Sequence, residues 1–229
     1  SAGCTLEEQK RPKVLPKASE ASLNCIVPIN FECNMTLNCL ANDWKKDEYR
    51  YSLELSKSKT PQNTILVVGV NPGGQTDPEE QYFGSTIRRV CKLVINNGEG
   101  NTTYDSVLFV NLTPVIAKAP SSLKDTASIE HLHKDNIKEI KSLIQERNGR
   151  IHNVLFCFGN SFKYNKELFS EVIRAIEEAL PPSKYNYWCL GIRKKGYPVH
   201  PLAHMKDLKL TECTFSQITP DDYSFQKKN

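Results

Sequence analysis

The stretch that most constrains this chain is Ile65-Leu-Val-Val-Gly-Val70, followed at once by Asn71-Pro-Gly-Gly74. Five of the six residues from Ile65 to Val70 are apolar, and the run is too short for a typical helix, which predicts a strand buried on both faces. Asn-Pro-Gly-Gly is turn chemistry that takes the chain out of a sheet. In an open α/β sheet, ligands bind in the crevice beyond the carboxyl ends of the strands. Asn71 is therefore expected at the mouth of a site, where Gly73 and Gly74 let a substrate approach the backbone. The competing reading is a sharp turn with no chemistry.

Three further apolar runs behave alike. Ser106–Val110 ends at Asn111-Leu-Thr-Pro114, Asn153–Phe158 ends at Gly159-Asn160, and Tyr185–Leu190 is followed by the loop containing His200-Pro-Leu202. Between them, Thr86–Val94, Ile129–Gln145 and Lys166–Leu180 carry apolar residues at helical spacing. Strands alternating with helices predict a three-layer α/β/α fold around a central four-stranded, mostly parallel sheet, spanning residues 48–207. Glu48–Leu55 alternates and reads as an edge strand leading into that core. Residues 1–22 read as a flexible polar arm, 23–47 as an extension without assigned structure, and 208–229 as a polar tail.

Composition narrows the partners. The formal net charge of +4, from 30 basic and 26 acidic residues, permits a nucleic-acid partner without demanding one. No apolar run approaches the ~20 residues of a membrane span. No secretory signal is legible, and the sequons at Asn34, Asn101 and Asn111 read as chance, so the expected location is intracellular, in cytoplasm or nucleus. Of eight cysteines, Cys91, Cys157 and Cys189 lie in apolar segments and read as small buried hydrophobes. Cys4, Cys25, Cys33 and Cys39 are irregularly spaced without a Cys-x-x-Cys pair; a disulfide or an iron–sulfur cluster among them is the minor alternative. No metal or cofactor is expected. There is no Gly-x-x-x-x-Gly-Lys-Ser/Thr and no Gly-x-Ser-x-Gly, which argues against a P-loop ATPase and an α/β-hydrolase.

If the sheet is parallel, Asn71, Asn111, Asn160 and the His200 loop share one rim. Amides offer both donors and acceptors, which suits reading the edge of a nucleobase. A histidine can donate to an oxygen that gains charge. Facing carboxylates are not evident; Asp77, Glu79 and Glu80 read as a surface loop.

Gly69-Val-Asn-Pro-Gly73, Phe109-Val-Asn-Leu-Thr-Pro114 and His200-Pro-Leu202 stand in an order and spacing that resembles the uracil-DNA glycosylase superfamily, nearest its mismatch-specific and single-strand-selective branches. Tyr49-Arg-Tyr51, Asn71-Pro72, Ser85-Thr-Ile-Arg-Arg89 and Leu190-Gly-Ile-Arg-Lys-Lys-Gly-Tyr-Pro-Val-His-Pro-Leu202 also resemble a bacterial and phage group, the domain of unknown function 1643. The likeness covers about Glu48 to His204. It implies a nucleobase-recognising DNA-repair hydrolase that cleaves an N-glycosidic bond, or an inactive module of the same fold that binds nucleic acid or a nucleotide. In its terms Asn71 holds the attacking water, Asn111 reads the flipped base, and His200 stabilises charge on the departing base. Phe83 stacks on the base and Leu202 fills the gap it leaves. Where His-Pro-Ser-Pro is usual in active members, this chain has His-Pro-Leu-Ala-His204, which weakens the expectation for duplex DNA.

Each residue also has a structural alternative: Asn71 as a turn former, Asn111 as a strand cap, His200 as a packed loop histidine. Arg88 and Arg89 are candidates for phosphate contact against a solvated helix face, and Lys194 and Lys195 are better placed for it. Tyr197 reads as either a stacking or a packed loop tyrosine. His131, His133, His152 and His204 read as solvent-facing or capping, since no metal spacing links them.

Overall fold

The computed structural model describes residues 23–29, 34–96, 104–117, 126–205 and 207–229. The arm expected over 1–22, Cys4 and Cys33 lie outside the described residues. The strands are β1 (Leu23–Pro28), β2 (Asn34–Lys45), β3 (Tyr49–Ser56), β4 (Thr64–Gly69), β5 (Ser106–Asn111), β6 (Ile151–Phe156), β7 (Asn186–Cys189), β8 (Thr211–Thr219) and β9 (Asp222–Lys227). The helices are α1 (Ser85–Cys91), which runs into a π-helical turn (Lys92–Asn96), α2 (Thr126–Glu146) and α3 (Lys166–Ala179).

All nine strands of the described residues form one mixed sheet in the order β1-β2-β3-β5-β4-β6-β7-β8-β9. The expected three-layer fold with a four-stranded sheet is therefore corrected. The four apolar runs do pair in parallel, as β5-β4-β6-β7. Antiparallel strands extend them on both sides: β3, β2 and β1 beyond β5, and β8 and β9 beyond β7. The extension and the tail were thus parts of the sheet. β3 is not an edge strand either; it lies between β2 and β5, and Arg50 to Ser56 are all buried.

The central run is continuously apolar because both its faces are covered. Leu66 and Val68 join the cluster of Leu108, Val110, Val154 and Phe156 with Ile140 and Leu143 of α2 and Phe169, Ile173 and Ile176 of α3. Ile65 and Val67 point the other way, to Val107, Phe109 and Leu155 with Val90, Cys91, Val94 and Ile95. Successive strand residues point to opposite faces, so β4 feeds two cores at once. The hairpin β8–β9 seals the first core with aromatics. Phe215 stacks on Tyr187 at 5.5 Å between ring centroids, and Phe225 tilts against Phe156 at 5.4 Å.

At the amino ends of the parallel strands sits a buried ion cluster. The Glu54 carboxylate is fully buried and accepts from Arg150 at 2.7 and 3.0 Å, from Arg147 Nε at 3.0 Å and from Ser106 Oγ at 2.8 Å. Burial by itself would raise its pKa; the two guanidiniums outweigh that and hold it below the ordinary carboxylate range. On the helix side, His133 is buried, contrary to a solvent-facing reading, and pairs with Glu171 at 2.8 Å to join α2 to α3. Cys25, Cys39, Cys91, Cys157, Cys189 and Cys213 are buried free thiols. Among the described residues no helix is long and apolar enough to cross a membrane.

Candidate functional site

The strand order reverses at β4, which receives β5 on one side and β6 on the other. Beyond its carboxyl end the chain opens a cavity of about 350 Å³. The place is the one expected for a ligand in a parallel sheet. Asn71, Gly73, Asn111, His200 and Leu202 all line it, together with Arg50, Thr76, Ser85 and Thr86.

Asn71 and Asn111 are brought together by continued pairing past the strand ends. Leu112 N donates to Gly69 O at 2.9 Å and Thr113 N to Val70 O at 3.0 Å. Gly69 and Asn111 are register partners, and a Cβ on Gly69 would stand 2.7 Å from Asn111 Oδ1. Only a residue without a side chain lets the Asn111 amide lie across the end of β4. That explains the glycine inside an otherwise aliphatic run. The Asn111 carbonyl accepts from Asn136 Nδ2 at 2.9 Å, which ties α2 to the same corner.

The Asn71 amide is oriented by its own loop. Its Nδ2 donates to Pro72 O at 3.1 Å and to Ala117 O at 2.9 Å. With both amide hydrogens engaged, Oδ1 is left as an acceptor for a water or a ligand N–H.

His200 is set by a different device. Leu202 N donates to His200 Nδ1 at 3.1 Å. A ring nitrogen that accepts carries no proton, so in the neutral ring the hydrogen is on Nε2, which becomes a donor. Burial pushes the His200 pKa below its ordinary value, which favours that neutral donor form. The loop packs on the end of β6 through Gly159, whose φ is +64° and whose Cβ would stand 3.2 Å from His200 Cβ. Leu202 is 46% exposed and forms the lip of the cavity.

The remaining sequence candidates stand outside the lining. Phe83 is buried in the core cluster beneath α1, so its ring does not face the cavity. Arg88 and Arg89 are half-buried on α1, with Arg88 Nη2 donating to Ser85 Oγ at 3.2 Å. Lys194 and Lys195 are exposed on the turn closed by Gly196 N to Arg193 O at 2.8 Å. Tyr197 is a packed residue, its hydroxyl donating to Asp222 at 3.1 Å.

Arg50 was missed as a site residue. It sits in β3, is 4% exposed and lines the cavity. Its Nη2 donates to Thr76 O, and its guanidinium lies 5.0 Å from the Trp44 ring centroid. The signal was an arginine inside Tyr49-Arg-Tyr51, on a strand read as an edge. A cation there defaults to solvent unless the strand is interior.

Among the described residues no Asp or Glu lines the cavity; the ionisable side chains among them are Arg50, Cys157 and His200. Burial pushes the Cys157 thiol up to about 12, so it is not a nucleophile at neutral pH. Among the described residues no group of three or more His, Cys, Asp or Glu is placed to hold a metal ion. The described residues can donate, accept and stabilise negative charge, but none of them supplies a carboxylate base.

A family model described as a protein of unknown function, DUF1643, matches residues 50–202. The chain belongs to this family. The match begins at Arg50 and ends at Leu202, and both residues line the cavity. The DUF1643 region therefore contains every described lining residue of the site, while β1, β2, β8 and β9 lie outside it. No curated protein and no solved structure matches the chain.

Proposed function

We propose that this DUF1643 protein recognises a nucleobase in the β4 cavity and hydrolyses the N-glycosidic bond that holds the base, in the manner of a uracil-DNA glycosylase. The observation that carries the reading is the meeting of Asn71, Asn111 and a neutral, Nε2-protonated His200 in one cavity. Asn111 pairs with the base edge, since an amide offers a donor and an acceptor side by side. Asn71 Oδ1 accepts a hydrogen bond from water. The water oxygen bonds to C1′, the C1′–N bond breaks with its electron pair going to the base, and the proton that water loses ends on the base. His200 Nε2–H donates to the base as negative charge builds there. That is electrostatic stabilisation, needed only in the transition state.

A second reading is a binding module that does not cut. The lack of a carboxylate among the described lining residues and the two backbone carbonyls that hold the Asn71 amide favour it, because an amide is a poor base. The partner in either case is DNA, single-stranded DNA above all, or a nucleotide. Incubation with single- and double-stranded oligonucleotides carrying uracil, hydroxymethyluracil or hypoxanthine, with mass spectrometry of the filtrate, separates the two. Free base that disappears in His200→Ala supports the hydrolase. Retained binding with no free base across the panel supports the module.

A further inference from the structure

The chain handles its two buried arginines in β3's neighbourhood in opposite ways. Arg147 is 8% exposed and faces the Glu54 carboxylate at 3.0 Å. Arg50 is more deeply buried, at 4%, yet forms no ion pair among the described residues. Its Nε is buried and has no hydrogen-bond partner among the described residues. Two groups act on it through space: Cys39, a buried thiol that its hydrogen bond to Cys25 and burial keep protonated, and Asp77, which is itself paired with Lys46 at 3.3 Å and accepts from the backbone N–H groups of Glu79 and Glu80. One carbonyl and one indole face leave a guanidinium's charge uncompensated, and a buried uncompensated charge is expensive.

The cavity sharpens the point. Its other ionisable groups are neutral near pH 7: Cys157 is pushed up to about 12 and His200 is pushed down. Arg50 stays charged, since burial lowers its pKa only to about 10. Among its described lining residues the cavity therefore carries one positive charge and no negative one. The hydroxyls of Ser85 and Thr86 line the same space and add neutral donors.

We propose that Arg50 anchors an anionic oxygen of the ligand, and that this ligand is a nucleoside phosphate unit rather than a bare base. The phosphate half of this assignment rests on the nucleobase reading above; the anion half rests on Arg50 alone. A guanidinium fork matches phosphate oxygens, and a bound phosphate supplies the missing partner for the buried charge. A cavity of about 350 Å³ lies at the small-ligand end of the usual range, which suits one nucleotide unit. The phosphate comes either from a free mononucleotide or from one link of a single strand.

Calorimetric titration of the full chain decides the matter. The probes are inorganic phosphate, the common nucleosides, their 5′-monophosphates, and short single strands without terminal phosphates. Wild type is expected to bind at least one monophosphate roughly 10- to 100-fold tighter than its nucleoside, the worth of a charge-assisted contact. Arg50→Gln is expected to erase that advantage, and Arg50→Lys to restore part of it. Tight binding of the single strands assigns the phosphate to a strand; tight binding of mononucleotides alone assigns it to a free nucleotide. Inorganic phosphate binding that depends on Arg50, with no base preference, sinks the nucleobase reading and keeps the anion site. Equal affinity of nucleoside and monophosphate for wild type overturns the proposal without any variant. So does a phosphate advantage that survives in a folded Arg50→Gln protein.

Discussion

Glu54→Gln tests how the sheet is held at the end opposite the site. The carboxylate makes four hydrogen bonds to Arg147, Arg150 and Ser106 and is fully buried. Glutamine keeps the shape but removes the charge, so Arg150 loses its counter-ion and Arg147 keeps only the exposed Glu146 at 3.4 Å. Arg147 is 9% exposed by its side chain and Arg150 21%, so water screens the second more than the first. Breaking a buried pair from one side costs about 3–5 kcal/mol. For a chain of this size that is roughly 6–20 °C in Tm. The pH dependence has a definite sign. The folded pKa of Glu54 is depressed, so its contribution is complete above the unfolded carboxyl pKa of about 4.3 and is lost as pH falls through the lower folded value. Urea unfolding of wild type and variant from pH 7 to pH 3 should give a constant gap down to about pH 5 that closes below it. A gap under ~1 kcal/mol at pH 7, or one that widens in acid, would refute the reasoning.

Other outcomes follow from the site. Gly69→Ala should leave stability within about 1 kcal/mol, since strand propensity gained offsets the side-chain shift needed. It should nonetheless change which base is accepted, because its Cβ displaces the Asn111 amide; denaturation and nucleoside titration read the two effects separately. If base release is observed, His200→Ala should lower kcat by ~100- to 1000-fold with little change in KM, measured by single-turnover kinetics. The activity should hold at pH values somewhat below the ordinary histidine pKa, because burial keeps His200 neutral there; a rate that falls as a free imidazole titrates would contradict this.

The parallel strands and the cavity at their ends were legible, because doubly buried strands leave continuous apolar runs and Asn-Pro-Gly-Gly marks where one stops. Of the flanking strands only β3 was legible as a strand, from the alternation of Glu48–Leu55; β1, β2, β8 and β9 were not. β2 carries Asn42 and Asp43 in buried positions and has register shifts at Cys39/Ala41 and Asp43/Trp44, which break the alternation that identifies a strand. β8 buries only Cys213 fully, so its polar residues read as a tail. Missing β1 and β2 turned β3 into an apparent edge, and that error hid Arg50. Phe83 stands apart for a local reason: at the turn before α1 the chain exposes Tyr82 and buries Phe83 in the core, and neither is among the described lining of the cavity.

The most direct test of the account is a crystal structure of the chain with a base or nucleoside drawn from the oligonucleotide panel. The account predicts the ring inside the β4 cavity, its polar edge paired with the Asn111 amide and an oxygen or nitrogen of the base within hydrogen-bond reach of His200 Nε2. A ligand seated elsewhere, or one in the cavity that touches neither Asn111 nor His200, would contradict it.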